Sequence, residues 1–134
     1  MSLKSLNKTQ KAAVEAIDGP VLIFAGAGSG KTMVLTHKLY YLVDEGLFKP
    51  EEILAVTFTN KAAKEMKERV MKLLKTNELD LSMGTFHSIC ARILREDIEV
   101  LGFSRHFAIY DVKDQLDLIK VLFEEFEISK KSKT

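Results

Sequence analysis

The sequence has very little of several features that mark special classes of protein. It has one cysteine, Cys90, which excludes an internal disulfide and a metal site built from several cysteines. No apolar run approaches the roughly 18 residues that span a membrane. The N-terminus also lacks the charged and then apolar pattern of a signal peptide. These absences predict a cytoplasmic protein with no membrane segment.

The chain also carries almost no net charge. Its 20 basic and 19 acidic residues leave a formal charge of +1. Proteins held on nucleic acid by a general electrostatic footprint are usually strongly basic. Any contact with nucleic acid must therefore come from a local set of residues. The composition, 46% hydrophobic and 29% charged, is typical of one ordinary globular domain with a real core.

Apolar patterning predicts strands and helices in alternation. Residues 21–25 are five apolar residues without alternation, which is typical of a strand buried on both faces. Two further strands are predicted at residues 53–58 and 81–86, and apolar residues at helical spacing follow each strand. This order indicates an α/β fold with a parallel sheet of three or four strands and helices on both faces.

Capping residues predict where the helices begin. Asn7 and Gln10 match a capping box at the start of a first helix. Asn60 is predicted to cap the helix after the second strand, and Gly46 to end the helix that begins at Lys31. The apolar positions expected to face the core from the helix after the second strand are Ala63, Met66, Val70 and Leu73.

The turn after the first predicted strand is rich in glycine. Residues 25–32 have the sequence Ala-Gly-Ala-Gly-Ser-Gly-Lys-Thr, a Walker A loop except that Ala25 stands where the strict pattern has glycine. Gly26, Gly28 and Gly30 are expected to let successive backbone N–H groups point at a phosphate, next to a helix N-terminus. The pattern therefore predicts a nucleotide-binding loop.

The last two residues of this loop carry its chemistry. Lys31 is predicted to place a positive charge against the outer phosphates, and the Thr32 hydroxyl to ligate Mg²⁺. The loop alone leaves the reaction open, because kinases, transporters, GTPases and motors all use it. The predicted phosphate-binding residues are Ala25, Gly26, Ala27, Gly28, Ser29, Gly30, Lys31 and Thr32.

Two later turns narrow the possibilities. Residues 57–61 have the sequence Thr-Phe-Thr-Asn-Lys, and residues 84–88 have Gly-Thr-Phe-His-Ser. With the phosphate loop and the upstream Leu6-Asn7-x-x-Gln10, they resemble the motifs of the UvrD, Rep and PcrA group of superfamily 1 DNA helicases in order and spacing. The resemblance implies an ATP-dependent DNA helicase whose motor domain has the RecA-like P-loop fold.

The resemblance also implies roles around the nucleotide. Gln10 matches the family's adenine-reading glutamine, a role compatible with the capping box that its spacing alone favours. The alanine start of the loop matches the family. Met33 occupies a position near the nucleotide where many relatives carry arginine, so one contact is expected to be missing or supplied from elsewhere. The implied cofactors are ATP and Mg²⁺.

The two later turns match the family's first and second contact motifs for single-stranded DNA. Hydroxyl, amide and ammonium groups bind phosphates, while an aromatic face stacks on an unpaired base. Without the resemblance, Phe58 and Phe86 are equally well explained as core residues, and His87 as a buried, hydrogen-bonded histidine. The implied DNA contacts are Thr57, Phe58, Asn60, Lys61, Thr85, Phe86 and His87.

Hydrolysis of ATP needs an acidic pair and arginines that this family carries later in its sequence. Asp111 follows four apolar residues, but Val112 stands where glutamate is required, and Asp111 is well placed to cap a helix. Glu124 and Glu125 are expected to face solvent. The chain is therefore expected to bind ATP, to hydrolyse little or none by itself, and to need the remaining motor domains of a parent protein.

The resemblance predicts two domain segments. Residues 1–110 are expected to belong to the ATP-binding motor domain, and residues 111–134 to begin an accessory helical subdomain. A helix over about residues 114–128 is expected to expose an apolar stripe that drives self-association or flexibility. Two alternatives remain: a P-loop enzyme such as a small-molecule kinase that does not respond to DNA, and a module that binds without turnover.

Overall fold

The computed structural model describes residues 3–126, which form five α-helices and two strands. The elements are α1 (Lys8–Glu15), α2 (Lys31–Asp44), β1 (Leu54–Thr57), α3 (Asn60–Leu74), β2 (Ser82–Thr85), α4 (Phe86–Asp97) and α5 (Val112–Glu125). Short 3-10 helices lie at Leu3–Ser5, Pro50–Glu52 and Ile98–Leu101. By its contacts the chain divides into two compact units, Met1–Ile93 and Leu94–Thr134.

The first unit contains a small parallel sheet. β1 and β2 are hydrogen-bonded side by side, with Leu54 opposite Ser82 and Thr57 opposite Thr85. Helix α3 makes the crossover between them, as parallel strands require. The α/β class and the parallel pairing of the second and third predicted strands are therefore confirmed.

The first predicted strand is not formed. Residues 21–25 belong to no strand, and the first four of them are exposed, with Phe24 89% exposed. The described chain thus has two strands where three or four were predicted. A strand buried on both faces needs hydrogen-bonded neighbouring strands and helices on each side. Among residues 3–126, no strand is hydrogen-bonded to residues 21–25.

The core of this unit lies between the sheet, α2 and α3. Helix α3 packs on both strands and on α2. Ala63, Met66 and Val70 are buried as predicted, and Leu73 is half-buried. The main cluster of buried side chains consists of Leu39, Ile53, Ala55, Met66, Val70, Leu79 and Leu81.

The start of α3 differs by one residue from the prediction. Thr59, not Asn60, is the N-cap: it has extended backbone (φ −130°, ψ 145°), and its side-chain oxygen accepts from the Ala62 N–H at 3.1 Å. Asn60 is the first helical residue and is exposed. Threonine and asparagine are both good caps. Because β1 ends at Thr57 and the helix begins at Asn60, Thr59 occupies the N-cap position.

The predicted caps at Asn7, Gly46 and Asp111 are confirmed. Asn7 and Gln10 form the capping box of α1, and Asp111 forms one with Asp114 at the start of α5. Gly46 follows the end of α2 with a φ of 65°, in the left-handed region that glycine tolerates. No helix among residues 3–126 is long and apolar enough to cross a membrane.

The second unit contains the end of α4, a loop and α5. The Arg95 guanidinium lies 5.6 Å from the centre of the Phe107 ring, a cation–π distance. Arg105 pairs with Glu99 at 2.9 Å. Helix α5 ends at Glu125, and residues 127–128 of the predicted helix lie outside the described residues. The exposed apolar positions along α5 and at its C-cap include Leu116, Ile119, Phe123 and Phe126.

Candidate functional site

The glycine-rich loop leads directly into the N-terminus of α2. Gly28 and Gly30 have φ angles of 74° and 85°, in the left-handed region that favours glycine. The φ angle of Gly26 is not positive. Gly30 is the N-cap and supplies no side chain, and the first helical bond runs from Val34 N to Gly30 O at 2.9 Å. The N–H groups of the first turn therefore face the end of the helix, where an anion is favoured.

The Lys31 side chain turns back onto this loop. Its ammonium donates to the carbonyl oxygens of Ala25 at 2.8 Å and Gly26 at 2.7 Å. The Ser29 hydroxyl also donates to Gly26 O, at 2.7 Å. Thr32 stands beside Lys31 in the first turn of α2 and is exposed. The loop thus carries one fixed positive charge and one accessible hydroxyl at a helix N-terminus.

Gln10 reaches this loop from α1. Its Oε1 accepts from the Asn7 N–H at 3.0 Å, which completes the capping box. Its Nε2 donates to the Ser29 carbonyl at 3.1 Å. The structure therefore brings together two predicted nucleotide contacts that lie 19 residues apart in sequence.

Helix α1 is held firmly against α2, which fixes where Gln10 stands. Val14 is fully buried. The Lys38 ammonium on α2 donates to the carbonyls of Ala13 and Ala16, which closes the last turn of α1. Burial lowers the pKa of Lys38 from its ordinary value. Val14 and Lys38 together anchor the helix that carries Gln10.

Met33 is half-buried and faces α3. It lines a cavity of about 270 Å³ between α2 and α3. The remaining lining residues are Thr36, His37, Arg69, Lys72 and Leu73. Met33 therefore contributes an apolar side chain to the interface between these helices.

The two later turns stand side by side at the carboxyl ends of β1 and β2. Thr57 and Thr85 are direct partners in the parallel register. Phe58 is 96% exposed and Phe86 61% exposed, which rules out the alternative that either is a core residue. His87 is also exposed and is not a buried histidine. Parallel pairing has thus assembled two aromatic side chains on one edge of the sheet.

Local hydrogen bonds shape each turn. The Thr57 hydroxyl donates to Thr59 O at 3.0 Å. The Thr85 hydroxyl accepts from Ser88 N at 3.2 Å, and the Ser88 hydroxyl donates back to Thr85 O at 2.9 Å. A Cβ added to Gly84 would lie 2.5 Å from Ser88 Oγ, so a larger residue at the end of β2 would force the Ser88 hydroxyl to move. Sequence reasoning missed Gly84 and Ser88 as supports of this turn, although their spacing around Thr85 was visible.

The remaining predicted contacts are accessible. Asn60 and Lys61 are exposed in the first turn of α3. Cys90 is exposed on α4. Within the described part of the chain, no three side chains of the metal-binding types His, Cys, Asp and Glu lie close enough to hold a metal ion.

Comparison with known proteins decides the family. The profile of the UvrD/REP helicase N-terminal domain matches residues 6–134. The chain belongs to the UvrD/REP helicase family. It is 52% identical over 129 residues to the ATP-dependent DNA helicase PcrA of Bacillus subtilis, and 50% identical to that of Staphylococcus aureus strain Mu50.

Each of these alignments with a PcrA helicase covers 96% of this chain but 18% of the relative. The chain therefore spans about a fifth of the length of the curated helicases that it matches. The family predicted from Gln10, the phosphate loop and the two later turns is confirmed.

Proposed function

We propose that the chain is the N-terminal part of an enzyme that uses ATP to move along single-stranded DNA and separate its strands. The observation that carries this proposal is the parallel register of β1 and β2. It sets two exposed phenylalanine turns side by side in the same unit as the phosphate loop. The family's relatives are named ATP-dependent DNA helicases, which agrees with it.

The loop before α2 fits the phosphates of ATP. No atom lies within 4 Å of a Cβ built on Gly26 or Gly28, so a ligand has room to approach the backbone. The Lys31 ammonium would exchange its two loop carbonyls for phosphate oxygens, to which a cation binds more strongly. The Thr32 hydroxyl would hold Mg²⁺, and Gln10 would recognise the base. Bound MgATP supplies the phosphoryl group whose transfer drives the motor.

The two later turns fit a single strand of DNA. Phe58 and Phe86 each present an aromatic face on which an unpaired base stacks, worth about 1 to 3 kcal/mol without sequence preference. Asn60 and Lys61 lie in the exposed first turn of α3, where phosphates are favoured. The set proposed to contact DNA is Thr57, Phe58, Asn60, Lys61, Thr85, Phe86 and His87.

The fold proposed for the longer protein is a complete RecA-like P-loop domain. Residues 21–25 would be a central strand in it, flanked by strands from later sequence. Residues 1–110 would belong to this domain, and residues 111–134 would begin a helical subdomain. Neither candidate acidic segment serves hydrolysis in this proposal, because Asp111 caps α5 and Glu124 and Glu125 are exposed.

The test is ATP hydrolysis by the full-length protein with and without single-stranded DNA. Lys31→Ala is expected to abolish turnover, because phosphate binding loses its cation. Phe58→Ala is expected to keep basal turnover and lose most of the stimulation by DNA. Phe103→Ala is the matched control, since Phe103 is exposed on the second unit, outside the proposed DNA turns.

Two results would contradict the proposal. Turnover that does not respond to DNA in the wild-type protein would leave a nucleotide-binding protein of another class, such as a small-molecule kinase. Equal loss of stimulation in Phe58→Ala and Phe103→Ala would remove the assigned role of the β1 turn.

A further inference from the structure

The phosphate loop has few restraints from the rest of the molecule. Its residues from Gly26 to Ser29 are exposed, and two of its glycines have positive φ. Its internal hydrogen bonds come from Ser29 and Lys31. Among residues 3–126, one side chain from outside the loop and α2 donates to it, and that side chain is Gln10.

Gln10 is well suited to restrain the loop because it is itself held at three points. Its backbone N–H donates to Asn7 Oδ1 at 2.9 Å, and its Oε1 accepts from Asn7 N at 3.0 Å. Helix α1 is anchored on α2 through Val14 and Lys38. The Nε2 group that reaches Ser29 O therefore projects from a fixed support.

The Gln10 amide lies so close to the loop that its contact depends on the conformation of the loop. A Cβ added to Gly30 would lie 3.2 Å from Gln10 Nε2. The amide thus packs on the same residue that turns the chain into α2 with a φ of 85°. Movement of the loop away from the shape seen here would break the bond to Ser29.

We propose that Gln10 is a positioning residue that holds the phosphate loop ready for the phosphates, independently of any contact with a base. This inference rests on the proposed binding of ATP. A carboxamide nitrogen has two hydrogens and its oxygen two lone pairs, and the bonds to Ser29 and Asn7 use one of each. The second hydrogen and lone pair are available to a base edge. One side chain therefore fixes the base position relative to the loop.

The test separates loop positioning from base recognition by using a ligand without a base. Binding of magnesium tripolyphosphate and of MgATP to the full-length protein is measured by calorimetry. Gln10→Ala is expected to weaken tripolyphosphate binding about fivefold, the loss that corresponds to one ordinary hydrogen bond. Asn7→Ala is the matched comparison: it removes one of the three points that hold Gln10 but keeps the Gln10 bond to Ser29, so it is expected to weaken binding less than Gln10→Ala does.

A second measurement needs no ligand. Hydrogen exchange of a peptide covering residues 25–33 is expected to be faster in Gln10→Ala than in wild type, and less affected in Asn7→Ala. Unchanged tripolyphosphate affinity in Gln10→Ala, with weaker ATP binding, would overturn the inference and leave Gln10 as a base contact only. Wild-type protein that binds neither ligand would instead refute the proposed ATP binding.

Discussion

The hydrogen bond of Tyr40, on α2, leads us to expect that the stability of the fold depends on pH. Its hydroxyl donates to Asp44 Oδ2 at 2.6 Å, and this hydrogen bond, followed by burial and the nearby carboxylates, raises the pKa of Tyr40 above its ordinary value of 10.0. A folded-state pKa raised above the unfolded one means that the stabilisation is fully present below pH 10 and is lost at higher pH.

Tyr40→Phe is therefore expected to lower the free energy of unfolding slightly at neutral pH and to flatten its fall above pH 10. Denaturant unfolding across this range, with ultraviolet titration of the phenols, measures both effects. The control is Tyr110→Phe. If Tyr40→Phe left the pH dependence of stability above pH 10 as it is in wild type, the assignment would be wrong.

At Gly84, one neighbouring atom limits the size of the side chain. An added Cβ would lie 2.5 Å from Ser88 Oγ, so Gly84→Ala is expected to displace the Ser88 hydroxyl and cost about 1 to 3 kcal/mol of unfolding free energy. Gly26→Ala is the control, because nothing lies within 4 Å there and its φ is not positive. Urea denaturation compares them.

A double variant, Gly84→Ala with Ser88→Ala, makes the cause explicit. It removes the clashing oxygen and is expected to recover part of the loss seen in Gly84→Ala. A double variant as unstable as the sum of the two single variants would show that the clash with Ser88 is not the cause.

At the scale of elements, the start of α3 separates two candidate caps. Thr59→Ala is expected to cost about 1 kcal/mol, because the Ala62 N–H loses its side-chain acceptor. Asn60→Ala is the matched control and is expected to change stability by less, since Asn60 already lies inside the helix. Denaturant unfolding decides, and a larger loss in Asn60→Ala would return the cap to Asn60.

The elements that the sequence predicted correctly are those whose pattern is satisfied within the chain. The stripe Ala63, Met66 and Val70 has its partners in β1, β2 and α2, so helical spacing translated directly into burial. Residues 21–25 have an equally clear pattern, but a buried strand depends on neighbours on both sides, and none forms among the described residues. Hydrophobic periodicity predicts which faces of a segment should be buried. Whether they are buried depends on the neighbouring strands and helices that form.

The site was predictable to the same extent. Order and spacing of motifs singled out Gln10, the loop and the two turns as candidates, and their roles in binding stay predictions. The bond from Gln10 to Ser29 was not predictable, because it depends on how α1 packs against α2. Exposure of Phe58 and Phe86 was equally undecided by sequence, since an aromatic residue at a strand end fits a core or a surface.

At the scale of the whole molecule, apolar surface dominates the expected behaviour of the isolated chain. Helix α5 and its C-cap expose Leu116, Ile119, Phe123 and Phe126. In the first unit, Phe24 is largely exposed. Exposed apolar surface of this kind favours association. We expect the isolated chain to self-associate with rising concentration.

Sedimentation velocity over a range of concentrations tests this expectation. Ile119→Lys with Phe123→Lys is expected to shift the chain towards monomer by breaking the apolar stripe. Ser104→Lys with Gln115→Lys adds the same charge at exposed polar positions and serves as the control. A wild-type chain that stays strictly monomeric would contradict the expectation.

The exposed Cys90 makes the proposed DNA edge open to optical study. It is the single thiol in the sequence, so a maleimide dye would attach at one defined place without removal of other cysteines. Cys90 stands four residues after Phe86 on α4, about one helical turn further along the same face. A dye there would lie beside the β2 turn, and a change in its fluorescence would report the binding of single-stranded DNA.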